Sequence, residues 1–279
     1  MGNKVLMDKY EVLIKTIESY RKVAVAFSAG VDSTFLLEAC VKALGKENVV
    51  AITAKSCLMP SIECDEAKKY CKKRGIRWVS FDPKIMQVEG ISENSVDRCY
   101  LCKKHIFSVM KRAVFNEGIK YLLDGSNADD GGDFRPGMKA LEELKIKSPL
   151  KDLGFTKSEI RSLSHALDIP TWEKPSYACL ATRIPYGEPI DEAKMNLVEK
   201  AEDYIRSLGF EEVRVRVHNT VIARIELNPN DFSRFMRGDI RLEVNLMLKN
   251  MGFAYVSLDL QGYRTGSMNE VLDEKDSDN

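Results

Sequence analysis

Apolar and polar positions in the first half of the chain alternate between two periods. Apolar residues at helical spacing open the chain, and they are Leu6, Tyr10, Leu13 and Ile17. They predict an amphipathic helix. Short apolar runs follow, and these predicted strands are VAVAF (23–27), VVAITA (49–54), IRWVS (76–80) and KYLLDG (120–125).

Helical stretches separate these strands, and a glycine follows each of them. The predicted helices cover about 32–44, 61–74 and 98–117, and they end at Gly45, Gly75 and Gly118. Strands that alternate with helices are typical of a parallel sheet with right-handed crossovers. We therefore expect an α/β fold in this half.

The pattern changes near residue 170. A short capped helix in TKSEIRSLSHALDIP ends at Pro170, and residues 171–189 carry enough proline and glycine for an extended loop or linker. Beyond it the sequence predicts a helix at 191–207, a strand pair (VRVRVH and VIARIEL), a helix at 239–250 and the strand FAYVSLDL. We predict a first domain at 1–185, a smaller α+β domain at 186–270 and a flexible acidic tail at 271–279.

Composition narrows the functional classes. The 42 basic and 42 acidic residues balance, so no overall field attracts nucleic acid or a membrane. No apolar run approaches the roughly 20 residues that span a bilayer. The opening MGNKVLMDKY shows no signal segment, and Leu6 stands where a myristoylation signal needs Ser or Thr. We expect a cytoplasmic protein whose seven cysteines are thiols or metal ligands.

A loop rich in small residues joins the first strand to the next helix. In VAVAFSAGVDSTFLL (23–37) these residues are Ser28, Gly30, Asp32, Ser33 and Thr34. Small residues allow main-chain N–H groups to surround an anion, and the helix N-terminus adds its dipole. The loop has neither the Walker pattern nor a G-x-G-x-x-G turn. A plain strand-to-helix turn capped by Asp32 or Ser33 is the alternative.

This loop resembles the S-G-G-x-D-S pyrophosphate loop of ATP pyrophosphatases, the PP-loop superfamily. Ala29 replaces the usual second glycine, and we expect a negative φ there, which an alanine adopts without strain. DGSNADD (124–130) matches the superfamily's D-G-[ST]-N-x-D-D loop, although a polar turn is its simpler interpretation. The resemblance implies Mg²⁺-dependent binding of ATP by Ser28, Ala29, Gly30, Asp32, Ser33, Thr34, Gly125 and Asp129.

Nearly the whole chain resembles the LarE family of sulfur transferases within that superfamily. The similar stretches are AFSAGVDST, RCYLCKK, DGSNADDGGDFRPG, ACLATRIPYG, RSLGFEEVRVRVHNTVIARIEL and LDLQGYRTGSMNE. LarE proteins help to make the nickel-pincer cofactor of lactate racemase. The resemblance implies an enzyme that adenylates a carboxylate of pyridinium-3,5-biscarboxylic acid mononucleotide and replaces an oxygen with sulfur. In such a reaction Asp32 is a candidate catalytic residue, since its carboxylate can meet Mg²⁺ or position the pyrophosphate.

Several arginines are candidates for binding the phosphate of that substrate. Arg214 and Arg216 lie two apart on a predicted strand and share a face, which alone is also typical of a solvated strand surface. The LarE resemblance places them, with Arg183 and Arg264, at a mononucleotide-phosphate site. It also matches Glu202 and Glu226 to acidic positions near that site.

RCYLCKK (98–104) places two cysteines one helical turn apart. From the residues alone, a Cys₃His zinc site and a redox-active dithiol activated by Lys103 both remain open. The zinc set is Cys99, Cys102, His105 and Cys179. We interpret the other four cysteines, together with His165 and His218, as structural.

The LarE resemblance favours a third role for these cysteines. One branch of the family uses a single sacrificial cysteine five positions before the Arg of TR-x-PYG, where this chain has Ala178. The other branch combines the C-x-x-C pair with a cysteine in ACLATR and holds a [4Fe–4S] cluster. This implies that Cys99, Cys102 and Cys179 ligate a cluster whose open iron takes up hydrosulfide from sulfide or another sulfur donor. Lys103 is then a catalytic residue that offsets developing charge.

Two other functions compete with this interpretation. A tRNA thiolase would use the same ATP chemistry but needs a basic or aromatic RNA surface, and the zero net charge counts against such a surface. A nucleotide-binding regulator with a structural zinc site is the non-enzymatic alternative. We also expect a homo-oligomer.

Overall fold

The chain forms two compact units in a computed structural model that describes residues 2–131, 136–175, 178–264 and 267. The first unit comprises Met1–Val88 and Asp97–Tyr177, and the second comprises Glu89–Val96 and Ala178–Asn279. The tail expected at 271–279 lies outside the described residues.

A four-stranded parallel sheet is the centre of the first unit. Its strands are β1 (Val23–Ala26), β2 (Val49–Ala54), β3 (Arg77–Phe81) and β4 (Tyr121–Leu123). They lie in the order β3-β2-β1-β4, and every neighbouring pair is parallel. The predicted α/β fold with a parallel sheet is therefore confirmed.

Helices cover both faces of this sheet. They are α1 (Gly2–Glu18), α2 (Val31–Leu44), α3 (Ser61–Arg74), α4 (Arg98–Phe115), α5 (Pro136–Glu143), α6 (Pro149–Asp152) and α7 (Lys157–Ala166). Gly75 ends α3 at φ 64°, a left-handed conformation that glycine adopts easily. A capping box of Thr156 and Glu159 begins α7.

Two apolar cores result from the alternation of side chains along the strands. Val23 and Val25 of β1 pack into the core that includes residues of α1, α2 and α7. Ala24, between them, points to the opposite core with residues of α4 and α5. A strand that is buried on both faces has no polar alternation. This is why the first two strands were recognisable as continuous apolar runs.

The second unit is built on a mixed three-stranded sheet. Its elements are α8 (Glu192–Ser207), β5 (Val213–His218), β6 (Ile222–Leu227), α9 (Phe232–Phe235), α10 (Gly238–Met251) and β7 (Tyr255–Leu258). β5 and β6, the predicted strand pair, form an antiparallel hairpin, and β7 pairs with β6 in parallel. Asp191 caps α8 by accepting a hydrogen bond from the main-chain N–H of Lys194.

The division between the units differs from the sequence-based boundary near residue 185. Residues 178–185 pack within the second unit, where the Thr182 carbonyl accepts a hydrogen bond from Arg216. Glu89–Val96 also belongs there, because Asn94 donates to the carbonyl of Pro185 at 2.8 Å. None of the helices in the described part of the chain is long and apolar enough to cross a membrane.

Candidate functional site

The strand order places two loops side by side in the first unit. After β1 the chain crosses to β2 and β3 on one side, and β4 then pairs with β1 on the other. Ligands of open α/β sheets bind beyond the carboxyl ends of the strands at such a switch point. The PP-loop segment 27–34 follows β1, and the segment 124–130 follows β4. The two candidate loops are therefore neighbours.

A cavity of about 380 Å³ lies where these loops meet. Its lining residues are Ala26, Phe27, Ser28, Gly30, Asp32, Ser33, Ala54, Met59, Lys103, Ile106, Phe107, Met110, Asp124, Gly125, Ser126 and Asp130. Small-molecule sites are typically of this size and combine apolar walls with a few polar groups. Five of the predicted ATP-binding residues line the cavity: Ser28, Gly30, Asp32, Ser33 and Gly125.

The PP-loop is held by its own hydroxyl groups. Thr34 Oγ1 donates to the carbonyl of Gly30 at 2.7 Å, and the Thr34 N–H donates to the same oxygen at 3.0 Å. The Ser28 N–H donates to Ser33 Oγ at 3.3 Å. Thr34 is fully buried and is not one of the cavity-lining residues, so its hydroxyl stabilises the loop from the interior of the unit. The main-chain N–H groups at the start of α2 can bind an anion, because the first turn of a helix has no carbonyl partners for them.

Ala29 adopts the left-handed conformation that we expected it to avoid. Its φ is 56°, so the prediction of a negative φ was wrong. This region is disfavoured for residues with a Cβ atom, which explains why related loops place glycine there. Ala29 is buried and its side chain packs in the apolar core.

Gly125 allows the second loop to approach the first. A Cβ atom at this position would lie 3.0 Å from the main-chain nitrogen of Ser33 and 3.2 Å from the carbonyl carbon of Asp32. Both neighbours are backbone atoms, which cannot move away as a flexible side chain would. Any larger residue would push the two loops apart.

Asp32 has one paired and one unpaired carboxylate oxygen. Lys157 Nζ lies 2.5 Å from Oδ2, whereas Oδ1 is buried and has no hydrogen-bond partner among the described residues. Burial raises the pKa of Asp32, and the charge of Lys157 counteracts this only in part. A buried carboxylate oxygen without a partner fits a Mg²⁺ ligand.

Asp124 is a second buried carboxylate on this cavity. Ser126 Oγ donates to Oδ2, and Ser148 Oγ donates to Oδ1 at 2.5 Å. Burial raises the pKa of Asp124, although the two hydroxyls and the nearby charge of Lys103 lower it in part. Gly137 leaves room for Lys103, because a Cβ there would lie 2.6 Å from Lys103 Cδ.

The two adjacent aspartates that end the second loop differ in their position at the cavity, and ATP binding by Asp129 stays a prediction. Asp130 lines the cavity, whereas Asp129 accepts a hydrogen bond from the main-chain N–H of Lys157 at 2.7 Å and so holds the start of α7. Three residues near the site escaped sequence reasoning: Asp124, Asp130 and Lys157. The first two stand in the DGSNADD motif, but Lys157 is distant in sequence and has no local signal.

The C-x-x-C cysteines lie in the first turns of α4. Both are half-buried thiols, and Arg98 Nη2 approaches Cys99 Sγ at 3.7 Å. His105, one turn further, has its Nε2 atom 2.7 Å from the Pro83 carbonyl oxygen, so this nitrogen donates a hydrogen bond. That contact leaves the Nε2 atom engaged and argues against His105 as a zinc ligand through it.

Cys179 precedes a short 3₁₀ turn, Leu180–Arg183, in the second unit. Its side chain is half-buried, and its carbonyl accepts hydrogen bonds from Thr182 and Arg183. Over the described ranges, no group of three or more His, Cys, Asp or Glu residues is arranged to hold a metal ion. The proposed cluster ligation by Cys99, Cys102 and Cys179 stays a prediction.

Two of the candidate arginines form buried ion pairs in the second unit. Arg183 contacts both carboxylate oxygens of Glu202 at 2.7 and 3.0 Å, and Arg216 contacts both of Glu226 at 2.9 Å. All four side chains are at most 3% exposed. Burial by itself would raise the pKa of Glu202, but Arg183 and Arg206 lower it overall. The predicted acidic positions are thus the counter-charges of these arginines.

Arg214 differs from these two. Its guanidinium lies 4.6 Å from the centre of the Tyr263 ring and donates to the Tyr263 hydroxyl at 3.0 Å. It is 7% exposed, and within the described residues no carboxylate pairs with it. Arg264 contacts Asp259 at 3.4 Å and the carbonyl of Gly262. Of the four predicted phosphate ligands, Arg214 therefore has the least neutralised buried charge.

One protein-family model matches part of the first unit. The model of the NAD synthase family matches residues 6–104, which include the PP-loop and the C-x-x-C motif.

Three relatives extend the similarity over most of the chain. A protein of Synechocystis sp. without an assigned function is 38% identical over 96% of this chain and 99% of its own length. The pyridinium-3,5-bisthiocarboxylic acid mononucleotide synthase of Lactiplantibacillus plantarum is 36% identical over 96% of each chain. A protein of Methanocaldococcus jannaschii is 28% identical over 88% of this chain and 92% of its own.

Proposed function

Because the chain belongs to the LarE family of PP-loop proteins, we propose that it uses ATP to convert carboxylates of pyridinium-3,5-biscarboxylic acid mononucleotide into thiocarboxylates. The Lactiplantibacillus plantarum relative carries the name of a synthase for the bisthiocarboxylic product. This activity would serve the synthesis of the nickel-pincer nucleotide cofactor. The observation that carries the proposal is the cavity between the two loops, where Asp32 has a buried carboxylate oxygen with no hydrogen-bond partner among the described residues.

The reaction has two steps. A substrate carboxylate oxygen attacks the α-phosphorus of ATP, the bond to the β,γ-pyrophosphate breaks, and an acyl-adenylate forms. A hydrosulfide then attacks the acyl carbon, AMP departs with the former carboxylate oxygen, and loss of the sulfur proton leaves a thiocarboxylate. Adenylation is required because an unactivated carboxylate oxygen is a poor leaving group.

The first unit supplies the groups that the first step needs. Main-chain N–H groups of the PP-loop would bind the departing pyrophosphate, and α2 directs its positive dipole end at the same place. Mg²⁺, when bound, would neutralise the developing phosphate charge. Asp32 would hold it through Oδ1, while Lys157 keeps Oδ2 fixed.

The second unit supplies the candidate groups for the substrate. Arg214 would bind the phosphate of the mononucleotide, because its buried charge has no carboxylate partner among the described residues. Arg183 and Arg216 are already neutralised by Glu202 and Glu226, so we propose that they shape this site. Arg264 is the fourth candidate.

We further propose that Cys99, Cys102 and Cys179 hold a [4Fe–4S] cluster. Thiolates are the usual ligands of such clusters, and all three residues are half-buried cysteines. When bound, a cluster with three protein ligands supplies an open iron that can carry sulfur. Lys103 lines the cavity, and its positive charge acts on Asp124 by lowering the pKa of that carboxyl. We propose that Lys103 offsets negative charge during sulfur transfer. The homo-oligomer and the cytoplasmic location stay predictions.

Incubation of the anaerobically purified protein with Mg-ATP, sulfide and the biscarboxylic mononucleotide tests the proposed reaction. We expect stoichiometric AMP, pyrophosphate and thiocarboxylate, measured by chromatography and mass spectrometry. AMP formation that depends on tRNA instead would establish the thiolase alternative. ATP binding without any AMP would favour the regulator.

Metal and sulfide analysis tests the cluster separately. We expect about four iron and four sulfide per chain after anaerobic reconstitution, and loss of both in Cys99→Ser, Cys102→Ser and Cys179→Ser. Cys64→Ser, a change at another half-buried thiol, is the matched control and should keep the iron. Zinc without iron, or conversion of Cys179 to dehydroalanine during one turnover, would contradict the proposal.

A further inference from the structure

A lysine outside the cavity contacts the back of the PP-loop. Lys174 Nζ lies 2.9 Å from the carbonyl oxygen of Ala29 and 2.5 Å from Glu66 Oε2. The Lys174 side chain is only 14% exposed, so most of its length is buried against the first unit. Neither step of the proposed reaction assigns it a role.

The carbonyl that Lys174 binds belongs to the strained residue of the loop. Ala29 has φ 56°, which an alanine adopts less readily than the glycine usual at this position. A charged donor to the carbonyl stabilises this conformation more than a neutral donor would. The interaction is therefore placed where the loop departs from the usual sequence.

Orientation of this carbonyl also determines the orientation of a cavity N–H group. The C=O of Ala29 and the N–H of Gly30 belong to one planar trans peptide, so they point in opposite directions. Lys174 binds the carbonyl oxygen outside the cavity, whereas the Gly30 N–H is directed at Ser28 Oγ, 3.3 Å away. Ser28 and Gly30 line the cavity, and Ala29 does not. Rotation of the peptide would remove one N–H group from the anion-binding loop.

Two further elements hold Lys174 in place. Arg161 of α7 donates to the main-chain carbonyls of Trp172 and Lys174, the latter at 2.9 Å. Glu66 of α3 fixes the ammonium group from another direction. The lysine is therefore anchored at its backbone and at its charged end before it reaches Ala29.

We propose that Lys174 is a positioning residue for ATP activation. Together with Glu66 it holds the Ala29–Gly30 peptide so that the Gly30 N–H faces the phosphate site, and it compensates for the alanine in the loop. This inference rests on the proposed binding of ATP in the cavity and adds a residue that acts through the main chain rather than on the nucleotide.

A double-mutant cycle between positions 29 and 174 tests the proposal. Four proteins are compared: the unaltered chain, Lys174→Met, Ala29→Gly and the double variant. Their affinities for Mg-ATP are measured by isothermal titration calorimetry, and AMP formation is measured in parallel. We expect Lys174→Met to weaken ATP binding roughly 10- to 100-fold when residue 29 is alanine. With glycine at 29 the same change should weaken it less than about 3-fold, because glycine adopts the left-handed conformation without support.

Equal losses in both backgrounds would overturn the proposal, since a lysine that attracts phosphate directly or only stabilises the fold is indifferent to residue 29. Lys174→Arg keeps a charged donor and should recover part of the affinity. Lys73→Met removes an exposed lysine of α3 and should change nothing.

If Lys174→Met does not fold, Glu66→Gln replaces it in the cycle. Glu66 is 37% exposed, and its substitution should weaken ATP binding about 3- to 10-fold with alanine at 29 and less with glycine. Failure of the unaltered chain to bind Mg-ATP would contradict the proposed function itself. Normal binding with equal losses would contradict only the role of Lys174.

Discussion

Buried carboxylates are balanced incompletely in the first unit and fully in the second. Asp32 has a lysine on one oxygen and, among the described residues, no partner on the other. Asp124 accepts hydrogen bonds from neutral donors, which are the hydroxyls of Ser126 and Ser148 and the main-chain N–H of Ser126. Burial raises the pKa of both aspartates. By contrast, Glu202 and Glu226 each face a guanidinium that meets both of their oxygens.

This difference separates a site that awaits a ligand from one that is already stabilised. An unbalanced buried carboxylate lowers stability in the absence of a cation and is retained where a cation is part of the function. A buried ion pair needs no ligand, but it is strongly destabilised when one partner is lost. Substitutions should therefore impair chemistry in the first unit and folding in the second.

The largest effect is expected from Asp32→Asn. Loss of a Mg²⁺ ligand at the departing pyrophosphate should reduce AMP formation by at least about 10³-fold. The fold should be retained, because asparagine has almost the same size and its amide oxygen can still accept from Lys157, while Oδ1 has no partner to lose among the described residues. Initial rates of AMP release and thermal unfolding measure the two quantities.

Asp8→Asn is the matched control, since Asp8 is an exposed carboxylate of α1. It should leave both the rate and the unfolding temperature unchanged. If a folded Asp32→Asn protein forms AMP at the normal rate, Asp32 is not an active-site residue. The incomplete pairing of its carboxylate would then have no connection with catalysis.

Glu226→Gln should have the opposite signature. It leaves Arg216 charged, buried and without its carboxylate, which should lower the free energy of unfolding by about 3–5 kcal/mol. Urea unfolding followed by circular dichroism measures this loss. The double replacement Arg216→Met with Glu226→Leu should recover a large part of it, because the uncompensated charge is gone.

Glu211→Gln changes an exposed glutamate of the same unit and should have no effect on stability. If Glu226→Gln also leaves stability unchanged, the buried charge of Arg216 does not need Glu226 for its stabilisation. The Arg216 guanidinium could then bind a substrate phosphate, and the two units would not differ in how their buried charges are stabilised.

The sequence was sufficient for the fold of the first unit because its signals are local. Strand β2 was predicted with its observed limits, 49–54, since a strand buried on both faces is a continuous apolar run. The glycine that ends α3 was equally evident. Motif resemblance is also sufficient to locate both loops of the cavity.

Other parts of the site depend on contacts between distant residues. Lys157 reaches Asp32 across 125 positions, and Lys174 reaches Ala29 across 145. Neither spacing follows from periodicity. The conformation of Ala29 was predicted wrongly because local preference favours negative φ, whereas distant contacts stabilise the positive value. Arg214 and Arg216 share a strand face, which the sequence predicts, but the pairing of Arg216 with Glu226 and of Arg183 with Glu202 depends on contacts between different elements.

A smaller effect is expected from Arg214→Met. The KM for the mononucleotide should rise about 10- to 100-fold because a charged hydrogen bond to phosphate is lost, while the KM for ATP should hardly change. Steady-state kinetics with each substrate varied in turn measures the two constants. Arg241→Met, at an exposed arginine of α10, is the control. An equal rise in the KM for ATP would indicate that Arg214 binds ATP rather than the phosphate of the mononucleotide.

The smallest effect concerns acid stability. The pKa of Glu202 lies below its ordinary value of 4.5 because the arginines favour its charged form. Its contribution is therefore present above about pH 4.5 and is lost as the pH falls through the lowered pKa. Asp32 and Asp124 have raised pKa values, so their burial is least unfavourable below their ordinary value of 3.8 and becomes unfavourable as the pH rises.

Acid should therefore loosen the second unit before the first. Hydrogen exchange followed by mass spectrometry resolves the two, with peptides from the β5–β6 hairpin reporting on the second unit and peptides from β1 and β2 on the first. Between pH 5 and pH 3.5 we expect protection of the hairpin to fall first. Glu202→Gln should flatten this pH dependence, since glutamine does not titrate. A hairpin that keeps its protection while β1 and β2 lose theirs would reverse the electrostatic contrast between the units.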